Sequence, residues 1–216
     1  MAITVYFVRH GETYFNCFAR LQGWADTPLT KKGEQDAVQV GKALSSLHID
    51  YLFASDLKRA VDTAKIMVAQ IPGAKVKTPV QKEFFRETFY GSFEGHSNEE
   101  GAIWASHLGG KRLRWIGQLI EAFGIKGAHD LLKQADPAHL AEDSQQLTSR
   151  AQEGMHFLAG LPDNSTVVVV SHGSFIQYLA SLYGDQTYGS LKNGAMAKFE
   201  IVDGQVTVKS YNQLSL

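Results

Sequence analysis

Hydrophobic positions in this chain follow two rhythms, and the way they alternate predicts the fold class. Residues 3–8 are a short β-branched and aromatic run that stops at a polar cluster, which predicts a buried strand. Residues 31–47 carry Ala37, Val38, Val40, Ala43, Leu44 and Leu47 at helical spacing. Residues 51–54 form a second buried strand. Ser55 or Asp56 behind it predicts the cap of a helix striped by Ala60, Val61, Ala64, Met67 and Val68. Residues 75–80 read as a weaker strand. Residues 166–170 are the clearest one, with four consecutive valines that are apolar on both faces, as in the middle of a parallel sheet. A helix over about 174–183 follows, and then two alternating runs, 197–202 and 205–209, join across Asp203-Gly204 as a hairpin. The order is β-α-β-α-β, a helical stretch, then β-α-β-β. That predicts an α/β three-layer sandwich with a mostly parallel central sheet.

The stretch from about 96 to 140 breaks the rhythm. Leu113, Ile116, Leu119, Ile120 and Phe123 recur at helical spacing, Trp104 and Trp115 add aromatic bulk, and no strand pattern occurs. It reads as a helical cap inserted into a single domain over residues 1–216, lying over one end of the sheet, with the two tryptophans and Phe123 as its core. A chain of 216 residues can bury one such core. A net charge of −1 argues against a nucleic-acid binder, whose footprint is usually a basic excess. No apolar run is long enough to span a bilayer and the N-terminus lacks signal-peptide character, so no membrane partner is expected. The single cysteine, Cys17, reads as a packing residue and fits a reducing compartment, so a cytoplasmic location is expected.

Candidate chemistry sits where strands end. Arg9-His10-Gly11 follows the first strand and Ser171-His172-Gly173 follows the valine strand, each at a carboxyl end, where open α/β sheets bind ligands. Arg59 lies early in the helix after the second strand. If the three strands are parallel and adjacent, Arg9, His10, Arg59 and His172 converge. Two arginines and two histidines around one crevice match a phosphate dianion in charge and donor geometry. A neutral imidazole can attack phosphorus and carry the phosphoryl group. The leaving alkoxide then needs a proton. Glu87, set among Phe84, Phe85, Phe89 and Tyr90, is the candidate acid, with Glu12, Glu83 and Glu94 as nearby alternatives.

With those residues in place, the chain resembles the histidine phosphatase superfamily, the phosphoglycerate-mutase-like proteins. Arg9-His10-Gly11-Glu12-Thr13 with Asn16, the segment 21–30 with Gly33, Ser55–Ala60 with Thr63-Ala64, Glu87 with Tyr90-Gly91, and Ser171-His172-Gly173 match the family's motifs in order. The resemblance implies that His10 is the phosphorylated nucleophile and that Glu87 is the proton donor and later the base that activates water. It implies that Arg9, Arg59 and His172 hold the phosphoryl group, with Asn16, Gln22, Thr13 and Gly173 as substrate contacts. The variable cap of the family falls on the helical insertion.

No metal or other cofactor is expected, because arginines supply the positive charge. The expected partner is a small phosphorylated substrate, and oligomeric state stays open, a homodimer included. Phosphomonoester hydrolysis is the favoured function. The alternatives are a cofactor-dependent phosphoglycerate mutase and a non-catalytic phospho-ligand binder. Those mutases usually carry Glu-Arg-His-Tyr-Gly at the acid motif and an Arg-Arg pair beyond it. This chain has Glu87-Thr88-Phe89-Tyr90-Gly91 and no such pair. His96 and His107 flank the cap as candidate substrate contacts, and Lys111, Arg112 and Arg114 read as a solvated face or an anion-attracting cluster. The other histidines, His129 among them, are expected to be mostly solvated.

Overall fold

A computed structural model describes residues 2–216, leaving only Met1 outside the description. The first half builds β1 (Ala2–Arg9), α1 (Tyr14–Cys17), α2 (Lys31–Ala43), β2 (Tyr51–Ala54), α3 (Lys58–Val68) and β3 (Val80–Gln81). Two short 3₁₀ turns follow, then α4 (Asn98–Leu108), α5 (Ile116–Ala135), α6 (Ser144–Ala159), β4 (Thr166–Ser171), α7 (Gly173–Tyr183), β5 (Met196–Val202) and β6 (Gln205–Gln213). The sheet runs β3-β2-β4-β1-β5-β6. It is parallel from β3 to β1 and antiparallel where β5 and β6 join.

Strand periodicity sorts the core into two layers. Val5, Phe7, Val167 and Val169 pack under α6 and α7 against Met155, Leu158, Phe175 and Leu179. Their neighbours Tyr6, Val8, Val168 and Val170 face the other way, against Val40, Leu44, Ala64 and Met67 of α2 and α3. This is the three-layer sandwich expected. Asp203 and Gly204 both take positive φ (50° and 77°), as the tight hairpin between β5 and β6 requires.

Three local expectations need correction. Residues 75–79 are not strand, and only Val80–Gln81 pairs with β2. Pro79 lacks an amide donor and the segment lies at the sheet edge, where little burial rewards pairing. The α3 helix is not capped by its own Ser55 or Asp56, because its N-cap is Leu57 with no side-chain cap bond. Asp26, from a distant loop, accepts from the Lys58 amide instead, while Asp56 pairs with Arg86. Cys17 is exposed rather than packed.

Helix α6 had no counterpart in the pattern analysis. Its signals are present: Asp143 and Gln146 form a reciprocal capping box, and Leu147, Ala151, Met155 and Leu158 form the buried stripe. Residues 96–140 are helical as expected. Their apolar core is Leu21, Phe93, Ala105, Leu119, Ala128 and Leu132 between α4 and α5, with Phe123 packed against it. Trp104 and Trp115 instead lie about half exposed, at 48% and 52%. Among the described residues, no helix is long and apolar enough to cross a membrane.

Candidate active site

Register brings the strand ends together. Arg9 of β1 lies opposite Ser171 of β4, and Ala54 of β2 lies opposite Val170. His10, Ser55 and His172 therefore emerge side by side from three adjacent parallel strands, with their rings and hydroxyl at one level. Gly11 must pass close to the start of α2, where a Cβ would meet the Gly33 carbonyl oxygen at 2.1 Å.

The bonds of His10 fix its tautomer. Nδ1 lies 2.7 Å from the Gly11 carbonyl oxygen, which can only accept, so Nδ1 carries the proton and Nε2 keeps a lone pair. Arg59 Nε donates to that Nε2 at 3.2 Å. Burial first, and then the Arg59 and Arg9 charges, hold the His10 imidazole well below its ordinary value. The His172 ring stands 5.1 Å away, with Nε2 held by the Ser55 hydroxyl at 2.7 Å. Its Nδ1 is buried and unpartnered. Burial and the neighbouring Arg59 push His172 down as well, so both imidazoles are neutral at neutral pH.

Arg59 is 1% exposed, and its other donors are engaged. They bond Ala25 O at 3.0 Å, Asp26 Oδ1 at 3.1 Å, Gly23 O at 2.7 Å and Gln22 O at 3.4 Å. The forked end expected to face phosphate is thus spent on loop 22–26, and Nε alone faces His10. Arg9 bonds the Leu191 carbonyl and leaves its Nε unpartnered. Gly173 lies against it, where a Cβ would sit 3.0 Å from that Nε. Arg9 is depressed by burial, which Glu87 opposes.

Glu87 comes from the loop after the first 3₁₀ turn and reaches the amino end of α7. Its Oε1 accepts from Thr88 N at 3.0 Å and Phe175 N at 2.8 Å, and its Oε2 accepts from Ser174 N at 3.0 Å. The Ser174 and Phe175 bonds satisfy orphan amides of the helix that opens behind His172. Burial raises Glu87 above the ordinary carboxylate range, against the pull of those bonds and of Arg59. Oε2, with a single donor, has the free lone pair for a proton.

The alternative carboxylates are otherwise engaged. Glu94 takes backbone amides of Gly23, Trp24, Ala25 and Tyr90, each at 3.0 Å, and so folds the loop that grips Arg59. Glu12 holds Thr30 and Lys32, and Glu83 is exposed.

The other expected contacts form a second tier of hydrogen bonds. Thr13 Oγ1 donates to Gln22 Oε1 at 2.6 Å, and Asn16 Oδ1 receives Asn193 Nδ2 at 3.1 Å. Asn193, which pattern reading passed over, also bonds the His10 carbonyl at 3.1 Å. Arg150 of α6 was missed too. It grips Glu142 through Nε and Nη2 (2.8 and 2.7 Å) and bonds the carbonyls of Arg86 and Glu87, so it fixes the loop that presents Glu87. The capping box of α6 was the available signal for it.

A cavity of about 180 Å³ is lined by Arg9, Glu87 and Gly173 and by Ile116, Ile120 and His129 of α5. His129 is 2% exposed, an exception among histidines expected to be mostly solvated. His96 instead pairs with Glu100, and His107 lines a separate surface groove. Arg114 pairs with Glu99, Lys111 lies over Phe123, and neither they nor Arg112 reach the cavity.

The sequence profile of the histidine phosphatase superfamily (branch 1) matches residues 5–214. The chain belongs to that family. A curated relative from Salmonella arizonae, named probable phosphoglycerate mutase GpmB, is 33% identical over 179 residues, covering 83% of this chain and 74% of its own. A crystal structure of phosphoglycerate mutase from Bacillus anthracis superposes with a TM-score of 0.91 at 30% identity, covering 99% and 94% of the two chains. Phosphoserine phosphatase from Entamoeba histolytica shares the fold, with a TM-score of 0.71 at 21% identity over 98% of each chain. This superfamily member thus stands among enzymes named both as mutases and as phosphatases.

Proposed function

We propose that this protein is a phosphomonoester hydrolase working through a phosphohistidine. His10 Nε2 attacks phosphorus, the ester P–O bond breaks, and Glu87 gives its proton to the leaving oxygen. Water then loses a proton to Glu87 and attacks the phosphoryl group; the P–N bond breaks and His10 returns to its starting tautomer. Arg9, Arg59 Nε and His172 Nδ1 are assigned to the phosphoryl oxygens, where fixed donors stabilise the transferring group. Thr13, Asn16, Gln22 and Gly173 shape the site around them. Substrate is proposed to enter beneath the 96–140 cap of a single domain, and the lone exposed Cys17 is consistent with a cytoplasmic setting.

The observation that carries hydrolysis over mutation is the cavity lining. Apart from Arg9, no cationic side chain lines it, so a carboxylate or second phosphate has no dedicated clamp there. The names of the 33%-identical relative and the Bacillus anthracis structure favour the other reading, a phosphoglycerate mutase. One comparison separates the two. Release of phosphate from simple monoesters, with no interconversion of 3- and 2-phosphoglycerate, is the expected result, and efficient interconversion overturns it. His10→Ala should abolish turnover and the acid-labile phosphoenzyme. Absence of turnover in the unaltered protein would instead leave a phospho-ligand binder.

A further inference from the structure

Among the described residues, the mechanism leaves two buried, unpartnered polar groups without a task, Thr88 Oγ1 and the His129 ring, and of these only His129 lines the cavity. His129 sits on the second half of α5, beyond Gly124, whose φ of 71° and ψ of 165° break the helix. That break lets Ile116 and Ile120 from one half and Ile125 and His129 from the other line the same cavity. The His129 ring is pinned edge-on to Tyr178, with centroids 5.6 Å apart. Tyr178 is itself fixed by its hydroxyl bonds to Ser144 O and Thr148 Oγ1, both at 2.8 Å.

Burial pushes His129 down to about 4, so the ring is neutral at physiological pH. Nδ1 is sealed from solvent with no hydrogen-bond partner. Buried polar atoms are rarely left unpaired, and an unpaired acceptor is tolerated better than an unpaired N–H. The proton therefore belongs on Nε2, the ring nitrogen left to meet the cavity. Around it the three isoleucines, Leu21 and Leu191 form an aliphatic side of the wall, while Asn98, Ser174, Gln177 and Ser190 form an uncharged polar side.

We propose that His129 is a specificity-determining residue that donates its Nε2–H to an uncharged oxygen, hydroxyl or carbonyl, on the body of the substrate. The inference rests on the phosphatase reading and narrows it. The substrate class is a compact, partly apolar alcohol or phenol phosphate that bears one such oxygen and no second anion. The volume agrees, since a cavity of about 150 Å³ accepts a benzene ring.

Phenyl phosphate, 4-hydroxyphenyl phosphate and 3-hydroxyphenyl phosphate, with the carboxyphenyl esters as the charged arm, test it. The readout is the ratio of kcat/KM for the better hydroxylated ester over phenyl phosphate within each enzyme, so that any loss of folded protein cancels. The unaltered protein should show a ratio of roughly 10, carried mainly in KM, as one buried hydrogen bond predicts. In His129→Leu the ratio should fall to about 1, and His129→Gln, which returns an N–H close to the same place, should restore part of it. An equal ratio in the unaltered protein and His129→Leu overturns the assignment, and so does a preference for the carboxyphenyl ester. Calorimetric binding of the same esters to His10→Ala protein gives the ratio without turnover. If no ester is hydrolysed, the phosphatase reading fails, yet the binding ratio still decides the role of His129.

Discussion

Replacing Glu87 by Gln tests the proton-transfer half of the chemistry with little disturbance of the fold. The Gln amide oxygen can keep the two bonds that Oε1 receives from Thr88 and Phe175, while the amide nitrogen replaces Oε2 opposite the Ser174 amide. One hydrogen bond is lost, at a cost of about 1 kcal/mol, or a few degrees in Tm for a chain of this size. Catalysis should suffer far more. Loss of a positioned general acid costs about 10²–10⁴ in rate, roughly 3–5 kcal/mol of barrier. That loss should depend on the leaving group. Alkyl phosphates need the proton in the first step, whereas 4-nitrophenolate departs readily without it. Stopped-flow measurement on Glu87→Gln should therefore give a burst of nitrophenolate close to one equivalent per site, then slow turnover as the phosphohistidine waits for a base. Alkyl phosphates should give no burst. Equal single-turnover losses for the two ester types would show that Glu87 does not donate the proton.

The other expectations concern pH, support and metal. Because burial raises Glu87, kcat/KM for alkyl phosphates should fall as pH rises through that raised value, and because His10 is held low the nucleophile should stay competent below pH 6.5; a rate that climbs with a midpoint near 6.5 would contradict this. Arg150→Ala removes the partner of Glu142 and three carbonyl contacts from a pair whose side chains are 13% and 11% exposed. It should cost about 3–5 kcal/mol, on the order of 10 °C in Tm, and a double-mutant cycle with Glu142→Gln would test the coupling. His129 titrates near 4 when folded and near 6.5 when unfolded, so the unfolded chain takes up the proton first and stability falls as pH drops through that window. The contribution reaches about 3 kcal/mol, and denaturant titrations of His129→Leu should show a shallower acid limb. Turnover should survive EDTA, and loss restored by a divalent ion would overturn the assignment of charge stabilisation to arginine.

What the sequence made legible was set by local rules. Runs such as the four valines of β4 name a buried strand by themselves, and a histidine after such a strand is placed at the sheet's carboxyl edge by topology alone. The convergence of His10 and His172 follows from those two facts plus the parallel pairing of β1 and β4. What escaped depends on bonds between residues far apart in the chain. Asp26 caps α3, Glu94 folds the loop around Arg59, Asn193 ties the His10 carbonyl, and Arg150 holds the Glu87 loop. No periodicity encodes such partners, since a polar residue in a loop has the same local pattern whether its carboxylate meets water or four amides. His129 shows the limit most clearly. Leu132 at i+3 is buried on the same side of α5, yet a lone histidine beside Asp130 reads from the sequence as solvated. Only the break at Gly124 and the packing of α5 against α4 and α6 set that position on the wall of the cavity, where we assign it to substrate.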